Sequence, residues 1–307
     1  MKVIVTGSTG LIGTALVRTL LADGHEVTRL VRGDAQTFSA PGTSAVRWDP
    51  RAGTVEAEKL EGHDAAVHLA GESIAEGRWD EEKKRRIMES RVRGTRLIAE
   101  TLARLERKPE ALVSASAIGF YGNRGDEVLT EESASGTDFL SEVCREWEKA
   151  TLAASQVGIR VVHLRTGVVL SAQGGALAKM LTPFKMGVGG RVGDGRQYMS
   201  WIDLDDEVGV IRRAIEDRDL RGPVNVVAPR PVTNEEFTKT LGGVLGRPTI
   251  FPVPAFAARL AFGEMADALL LASQRVEPAR LKSSGYEFKY PDLAASLRHV
   301  LGKDGKG

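Results

Sequence analysis

The chain has 307 residues, 42% hydrophobic and 27% charged, with 42 basic against 41 acidic side chains and a formal net charge of +1. This is the composition of a soluble globular protein, and it offers neither the basic field that nucleic-acid binding needs nor an apolar anchor for a membrane. The single cysteine, Cys144, excludes an internal disulfide and a cysteine-based metal cluster. The apolar run after Lys2 stops at Gly7, too short for a signal peptide or a membrane span, so the expected address is the cytoplasm.

Residues 3–6 are apolar and mostly β-branched, too few for a helix, and predict a buried first strand cut off by a glycine-rich turn. Leu11, Ile12, Ala15, Leu16, Thr19 and Leu20 then recur at helical spacing, with Asp23-Gly24 as the stop. Further strands are predicted over 25–31, 46–49, 65–69, 112–116 and 159–166, with helices over 80–105 and 138–155 between the later ones. Strands alternating with helices predict an α/β fold, a Rossmann-type doubly wound parallel sheet covered on both faces.

After Leu170 the alternation stops, and the glycine-rich stretch 174–196 predicts a binding loop or lid. Residues 201–213 read as a strand end leading into a helix, and 224–227 as one more strand. Thr233 and Glu236 have capping-box spacing for a helix over 235–245, which Gly246-Arg247-Pro248 ends. Pro252 and Pro254 break the chain, helical segments follow over 255–271 and 292–301, and 302–307 read as a disordered tail. The expected division is a Rossmann domain over 1–170 to which 201–230 returns, a lid over 171–200, and a smaller, mostly helical C-terminal lobe over 231–307.

The segment Thr6-Gly7-Ser8-Thr9-Gly10-Leu11-Ile12-Gly13 lies between the first strand and the first helix. There Gly7 permits a tight turn, Gly10 lets backbone approach a pyrophosphate, and Gly13 lets helix and strand pack closely, while the helix N-terminus offers free N–H groups to the anion. This context predicts a dinucleotide site. NAD-binding folds place an acid at the end of the second strand, on the ribose 2′-hydroxyl. Here that end reads Leu30-Val31-Arg32-Gly33, so Arg32 is placed to pair with a 2′-phosphate, and NADP is the expected cofactor. The alternative leaves Arg32 solvated and gives the ribose to Asp34.

These residues, with Ala66-Val67-His68-Leu69-Ala70-Gly71 and Ser116-Ala117-Ile118-Gly119-Phe120-Tyr121-Gly122, resemble the extended short-chain dehydrogenase/reductases, which include the sugar-nucleotide epimerases. Trp48-Asp49-Pro50, Gly71-Glu72 and the stretch 189–206 are similar to an atypical, epimerase-like branch with a helical C-terminal domain of unassigned function, and the resemblance spans nearly the whole chain. It implies that Gly7, Gly10 and Gly13, with Thr9, Leu11 and Ile12 among them, meet the pyrophosphate. It implies that Leu69, Ala70 and Gly71 line the adenosine side and that Val169 sits near the nicotinamide. The family's Asn before V-x-G-T is replaced by Arg91, ahead of Val92-Arg93-Gly94-Thr95. Arg91, with Arg86, is a candidate for cofactor phosphate or ribose, unless Arg86, Arg91 and Arg93 are only the solvated face of a charged helix.

The superfamily's Tyr, with a Lys four residues later whose ammonium lowers the phenol's pKa, has no counterpart here. Aligning the helix on Trp147-Glu148 puts Leu140 at the Tyr position and Cys144 at the Lys position, and the chain has no Tyr-x-x-x-Lys anywhere. The family's Ser or Thr falls on Ala117, one place after Ser116. Ser116 and Tyr121 are the remaining catalytic candidates, with packing at a turn as the alternative for Tyr121. Glu72 is an acid near the cofactor edge or a loop residue; His163 reads as a core histidine and Cys144 as a buried small residue.

Asp203, Asp205 and Asp206 read as a helix cap rather than a metal site. Arg191 and Arg196 are placed to meet an anionic small-molecule substrate. The expected function is an NADP-dependent oxidoreductase or epimerase-like enzyme acting on a carbinol or carbonyl carbon. The alternative is an NADP(H)-binding redox sensor without turnover. The two charged helices leave open whether their outer faces pack in a homodimer or in the core.

Overall fold

The computed structural model describes residues 1–33 and 41–303. Asp34 and residues 304–307 therefore lie outside the described residues, whereas Gly302 and Lys303 are ordered, Lys303 donating to the Val244 carbonyl at 2.7 Å. The first half runs β1 (Lys2–Thr6), α1 (Leu11–Ala22), β2 (Glu26–Val31), β3 (Thr43–Asp49), β4 (Thr54–Val55), β5 (Ala65–His68), α2 (Glu81–Arg104) and β6 (Ala111–Ala117). It continues through β7 (Val128–Leu129), α3 (Phe139–Lys149), α4 (Leu152–Gln156), β8 (Arg160–Thr166) and β9 (Val168–Leu170). Then come α5 (Gly175–Lys185), β10 (Tyr198–Met199), β11 (Trp201–Asp203), α6 (Leu204–Glu216) and β12 (Gly222–Val226). The tail holds β13 (Val232–Thr233), α7 (Asn234–Leu245), α8 (Ala255–Phe262), α9 (Glu264–Ala266), β14 (Arg275–Val276), α10 (Ala279–Ser283) and α11 (Leu293–Val300).

The main sheet has the order β12-β8-β6-β5-β1-β2-β3-β4, parallel throughout except where β4 returns along β3. Alternate residues of a strand face opposite sides, and in β1 both sets are apolar. Val3 and Val5 pack with Val67, Val113 and Leu164 under α1 and α6, while Ile4 packs with Leu30, Ala66 and Leu112 under α2. Burial on both faces is why these strands read as continuous apolar runs, and each such Val or Leu contributes roughly 1.5–3 kcal/mol. On β6, β8 and β12 the second face turns polar: Ser114, Ser116, His163, Arg165 and Asn225 stand side by side.

Two expected elements differ. The helix over 138–155 is two helices, because the Thr151 hydroxyl donates to the Glu148 carbonyl at 2.7 Å and closes the first one. The glycine-rich stretch 174–196 is not all loop: Leu177, Leu181 and Phe184 recur at helical spacing and bury the inner face of α5 against Trp201, Phe237 and Leu297. The capping box at Thr233 and Glu236 is formed, with both reciprocal bonds in place. No helix among the described residues is long and apolar enough to cross a membrane.

Candidate functional site

The carboxyl ends of β1, β5, β6 and β8 form the edge where parallel sheets of this kind bind ligands. At the end of β1, Gly7 takes φ +66°, and a side chain there would lie 2.8 Å from the Leu69 carbonyl group. A side chain on Gly13 would collide with the Gly7 carbonyl oxygen. Only glycines allow α1 to start this close to the sheet. Gly10 caps α1 with no side-chain bond and no acid follows in the first turn, so the N–H groups of residues 11–13 remain for an anion. Thr9 and Gly10 are exposed above the turn, and Leu11 and Ile12 are half-buried.

Thr6 ties this turn to β5. Its hydroxyl oxygen accepts the N–H groups of Leu69 and Ala70 at 3.1 and 3.2 Å, so its own proton is donated to His68 Nδ1, 2.8 Å away. His68 is thereby the Nε2–H tautomer, and complete burial holds its pKa down at about 4. The backbone of Leu69, Ala70 and Gly71 is thus held beside Gly7. Arg29 on β2 adds a second brace, donating from Nε to Ser8 Oγ at 3.1 Å and from Nη2 to the Ser8 carbonyl at 3.4 Å. Sequence reasoning missed Thr6, Ser8 and Arg29, although an arginine in the middle of a strand was a signal. Arg32 is exposed just beyond β2.

On α2 the arginines 86, 91 and 93 part company. Arg86 bonds Glu82 at 2.6 Å and Glu72 at 3.3 Å, and Arg93 bonds Glu89 at 3.1 Å. Lys83 bonds Glu72 at 2.7 Å, and that bond, with Arg86 adding to it, holds the Glu72 carboxyl below its usual range. Arg86 and Arg93 are therefore neutralised on the helix surface. Arg91 instead donates Nη1 to the carbonyls of Glu72 and Ile87, at 3.0 and 3.2 Å, and lies 5.0 Å from the Trp147 ring. Val169, on β9, is half-buried against the same core cluster that Ile12 packs on, and pairs with Ile202.

At the positions where the resembled family carries its Tyr and Lys, Leu140 packs with Trp79, Ile87 and Met265, and Cys144 is buried with its thiol pushed up to about 12 by desolvation. Neither transfers a proton. Ser116 donates to Glu148 Oε1 at 2.8 Å, which leaves only its lone pairs. Tyr121, a catalytic candidate from sequence, is fully buried: its hydroxyl donates to Asn225 at 2.6 Å and accepts from Arg165 at 3.1 Å. Burial pushes its pKa up, and with no exposed face it is a core residue instead. Arg165 also forks onto both Glu148 oxygens, at 2.8 and 2.9 Å, and stacks on Phe120 at 3.4 Å. Ser116, Arg165 and Asn225 of the polar strip are thus joined, through Glu148 and Tyr121, in one network. His163 bonds Thr151 at its rim, its pKa lowered by burial.

Asp203 caps α6, accepting from the Asp205 N–H and from Ser296, while Asp206 accepts the N–H groups of Lys289 and Tyr290. Ligand atoms of Asp203, Asp205 and His299 lie within 4.8 Å of one another, and the cap, Ser296 and the Asp205–His299 pair use them. Next along α6, Glu207 is buried and accepts from Thr166 at 3.0 Å, a residue that sequence reasoning passed over. Arg191 pairs with Glu235 at 3.7 Å, and Arg196 is exposed. An open groove of about 750 Å³ lined by Arg160, Arg218 and Arg221 lies at the amino ends of β8 and β12, the edge opposite the glycine turn.

Comparison with known proteins agrees with this architecture. Residues 3–227 match the NAD dependent epimerase/dehydratase family, and residues 253–300 match a domain of unknown function, DUF1731. An epimerase family protein of Mycobacterium tuberculosis is 42% identical over 99% of this chain and 98% of its own length. The human epimerase family protein SDR39U1 is 37% identical over 98% of this chain and 100% of its own. The crystal structure of human SDR39U1 (isoform 2) with NADPH superposes with a TM-score of 0.88 at 34% identity, covering 98% of this chain and 99% of that one. The glycine turn, the parallel sheet and these end-to-end matches have one conclusion: the chain belongs to the NAD-dependent epimerase/dehydratase family, as an atypical, epimerase-like extended short-chain dehydrogenase/reductase.

Proposed function

We propose that the chain is a cytoplasmic, NADP(H)-dependent oxidoreductase or epimerase-like enzyme acting on a carbinol or carbonyl carbon of a small molecule. One observation carries this reading. The uncapped amino end of α1, closed over three glycines, offers free N–H groups to a pyrophosphate, and exposed Arg32 stands at the end of β2 where an NAD site would place an acid. The residues fit the dinucleotide: Gly7, Thr9, Gly10, Leu11, Ile12 and Gly13 would hold its pyrophosphate and Arg32 its 2′-phosphate. Leu69, Ala70 and Gly71 would line the adenosine and Val169 the nicotinamide. The NADPH in the human relative's structure supports the same cofactor. When bound, NADP(H) supplies a hydride donor or acceptor at the nicotinamide ring.

On this reading the glycine turn binds and orients the cofactor, the lid over 171–200 and the C-terminal lobe from 231 onward close the substrate side, and exposed Arg196 offers a charge to an anionic group. Leu140 and Cys144 supply no acid or base, so on this reading another group or water supplies the proton, in place of general acid–base help worth roughly 10² to 10⁴ in rate. That same pair favours a second reading, a protein that binds NADP(H) and reports redox state without turnover.

The two readings separate when purified protein carrying NADPH deuterated at the transferable position is mixed with cell metabolites and deuterium is followed by mass spectrometry. Transfer to one metabolite, absent in Gly10→Asp, supports the enzyme and names its substrate; tight binding without transfer supports the sensor. In the same preparation Arg32→Glu weakens NADPH far more than NADH; equal weakening refutes the NADP assignment.

A further inference from the structure

Nine of the thirteen large apolar side chains exposed among the described residues lie in two stretches, 186–188 in the lid and 250–269 in the C-terminal lobe. The two stretches are joined. Val253 donates its N–H to the Arg191 carbonyl at 2.8 Å and accepts from the Gly193 N–H at 2.9 Å, and a side chain on Gly190 would collide with the Phe251 carbonyl. Next along the chain stands α8, Ala255-Phe256-Ala257-Ala258-Arg259-Leu260-Ala261-Phe262, with one charge in eight residues. Among the described residues of α8, only Ala258 is buried. Phe256 and Leu260, one turn apart and so on one face, are 71% and 75% exposed. A helix this apolar is normally buried, yet its stripe stands out into solvent. Taken at ~150 Å² per side chain, the low end of the aromatic range, and a little over half exposed on average, the nine present on the order of 800 Å². That exceeds the ~300–600 Å² of the largest apolar patch on an ordinary monomer and matches the ~800 Å² that each partner gives to a standard interface.

We propose that this face is the contact between two copies of the chain, α8 of each crossing α8 of the other about a two-fold axis. Such an interface must be self-complementary, and α8 supplies both halves: Phe256 and Leu260 as large side chains, with Ala257 and Ala261 beside them as small ones that the large side chains of a second copy fit. Its charges do not oppose the contact. Arg259 is paired with Asp267 at 2.9 Å, Glu264 with Lys84, and Arg191 with Glu235. Exposed Lys185 and Arg247, which precede the two stretches, have the place of a solvated rim. The other occupants fit less well. A small ligand needs a concavity, whereas these side chains protrude. A lipid surface is met by free basic residues beside the apolar face, and the one arginine of α8 is spent on Asp267. Because lid backbone is bonded to Val253, a copy seated on this face also braces the lid.

The test is sedimentation velocity of the full chain over a wide range of concentration, with thermal melts reporting folding. The wild type is expected to sediment as a dimer that dissociates on dilution. Leu260→Glu, which sets like charges against each other across the axis, is expected to weaken the dimer about thirtyfold or more, the effect of one interface hot spot. Phe256→Ser acts in the same direction and carries the comparison should Leu260→Glu fail to fold. Arg96→Glu, exposed on α2, leaves the dimer intact. A dimer that survives both α8 variants, or one that only Arg96→Glu breaks, overturns the proposal. So does a wild type that is monomeric at every concentration; if that monomer floats with vesicles of phosphatidylcholine and phosphatidylglycerol and Leu260→Glu does not, the face belongs to a lipid surface instead.

Discussion

Replacing Glu207 by Gln tests how far burial governs this protein's response to pH. Glu207 is 1% exposed in the first turn of α6; one oxygen accepts from Thr166, and among the described residues the other has no partner and no cation pairs with it. Burial pushes its pKa from 4.5 up to about 8. Between those values the folded protein keeps a proton that the unfolded chain releases. The stability this group contributes is therefore complete below pH 4.5 and is lost as pH rises through 8, at somewhat over 1 kcal/mol per pH unit, a few kcal/mol in all. Gln has the shape of the protonated acid and no charge to release. It accepts from Thr166 in the same way but leaves an amide unpaired, a pH-independent cost of about 1–3 kcal/mol. Urea unfolding of both proteins at several pH values from 5 to 8 is the assay, read as the difference in unfolding free energy at constant m. The variant should be the less stable at the acid end and gain steadily on the wild type as pH rises. His63, His68 and His163, all held below their usual pKa by burial, contribute equally to both proteins and cancel. Parallel profiles would refute the argument.

Two further outcomes follow from buried chemistry. Native protein treated with iodoacetamide near pH 8 should leave Cys144 unmodified, because burial holds the thiol at about 12, and alkylation should proceed only in denaturant; labelling at the denatured rate would show an accessible thiolate. Arg165→Met should cost up to about 3–5 kcal/mol in urea unfolding, since it strands the largely buried Glu148 carboxylate. Glu148→Gln should cost less, because the guanidinium keeps Tyr121 and the Phe120 ring. A loss under about 1 kcal/mol in Arg165→Met would mean that Glu148 finds water.

Much of the fold was legible from local pattern. The strands β1, β5, β6 and β8 are read from apolar runs too short for helices, the turn at Gly7 to Gly13 from three glycines between strand and helix, and α7 from the Thr233–Glu236 box. Where local signals competed, the reading failed: glycines on both sides hid the Leu177, Leu181, Phe184 stripe of α5, and Thr151 looked like one more helical residue. The family pattern also showed the absence of a Tyr-Lys pair, since absence needs no geometry.

What the sequence by itself determined is therefore what neighbours in the chain decide: backbone conformation at glycines, helix starts, and the periodicity of burial. The tertiary structure alone decided which charges are spent. Arg86 and Arg91 stand five residues apart on one charged helix, and nothing in their spacing distinguishes them. Glu72 comes from the loop after β5 to neutralise Lys83 and Arg86, while Trp147, from α3, comes to lie on Arg91. Tyr121 was equally ambiguous until Asn225, 104 residues away, accepted its hydrogen bond. A side chain's charge, burial and free donors depend on partners that long-range packing brings to it, so a site's chemistry is settled only when the fold closes around it.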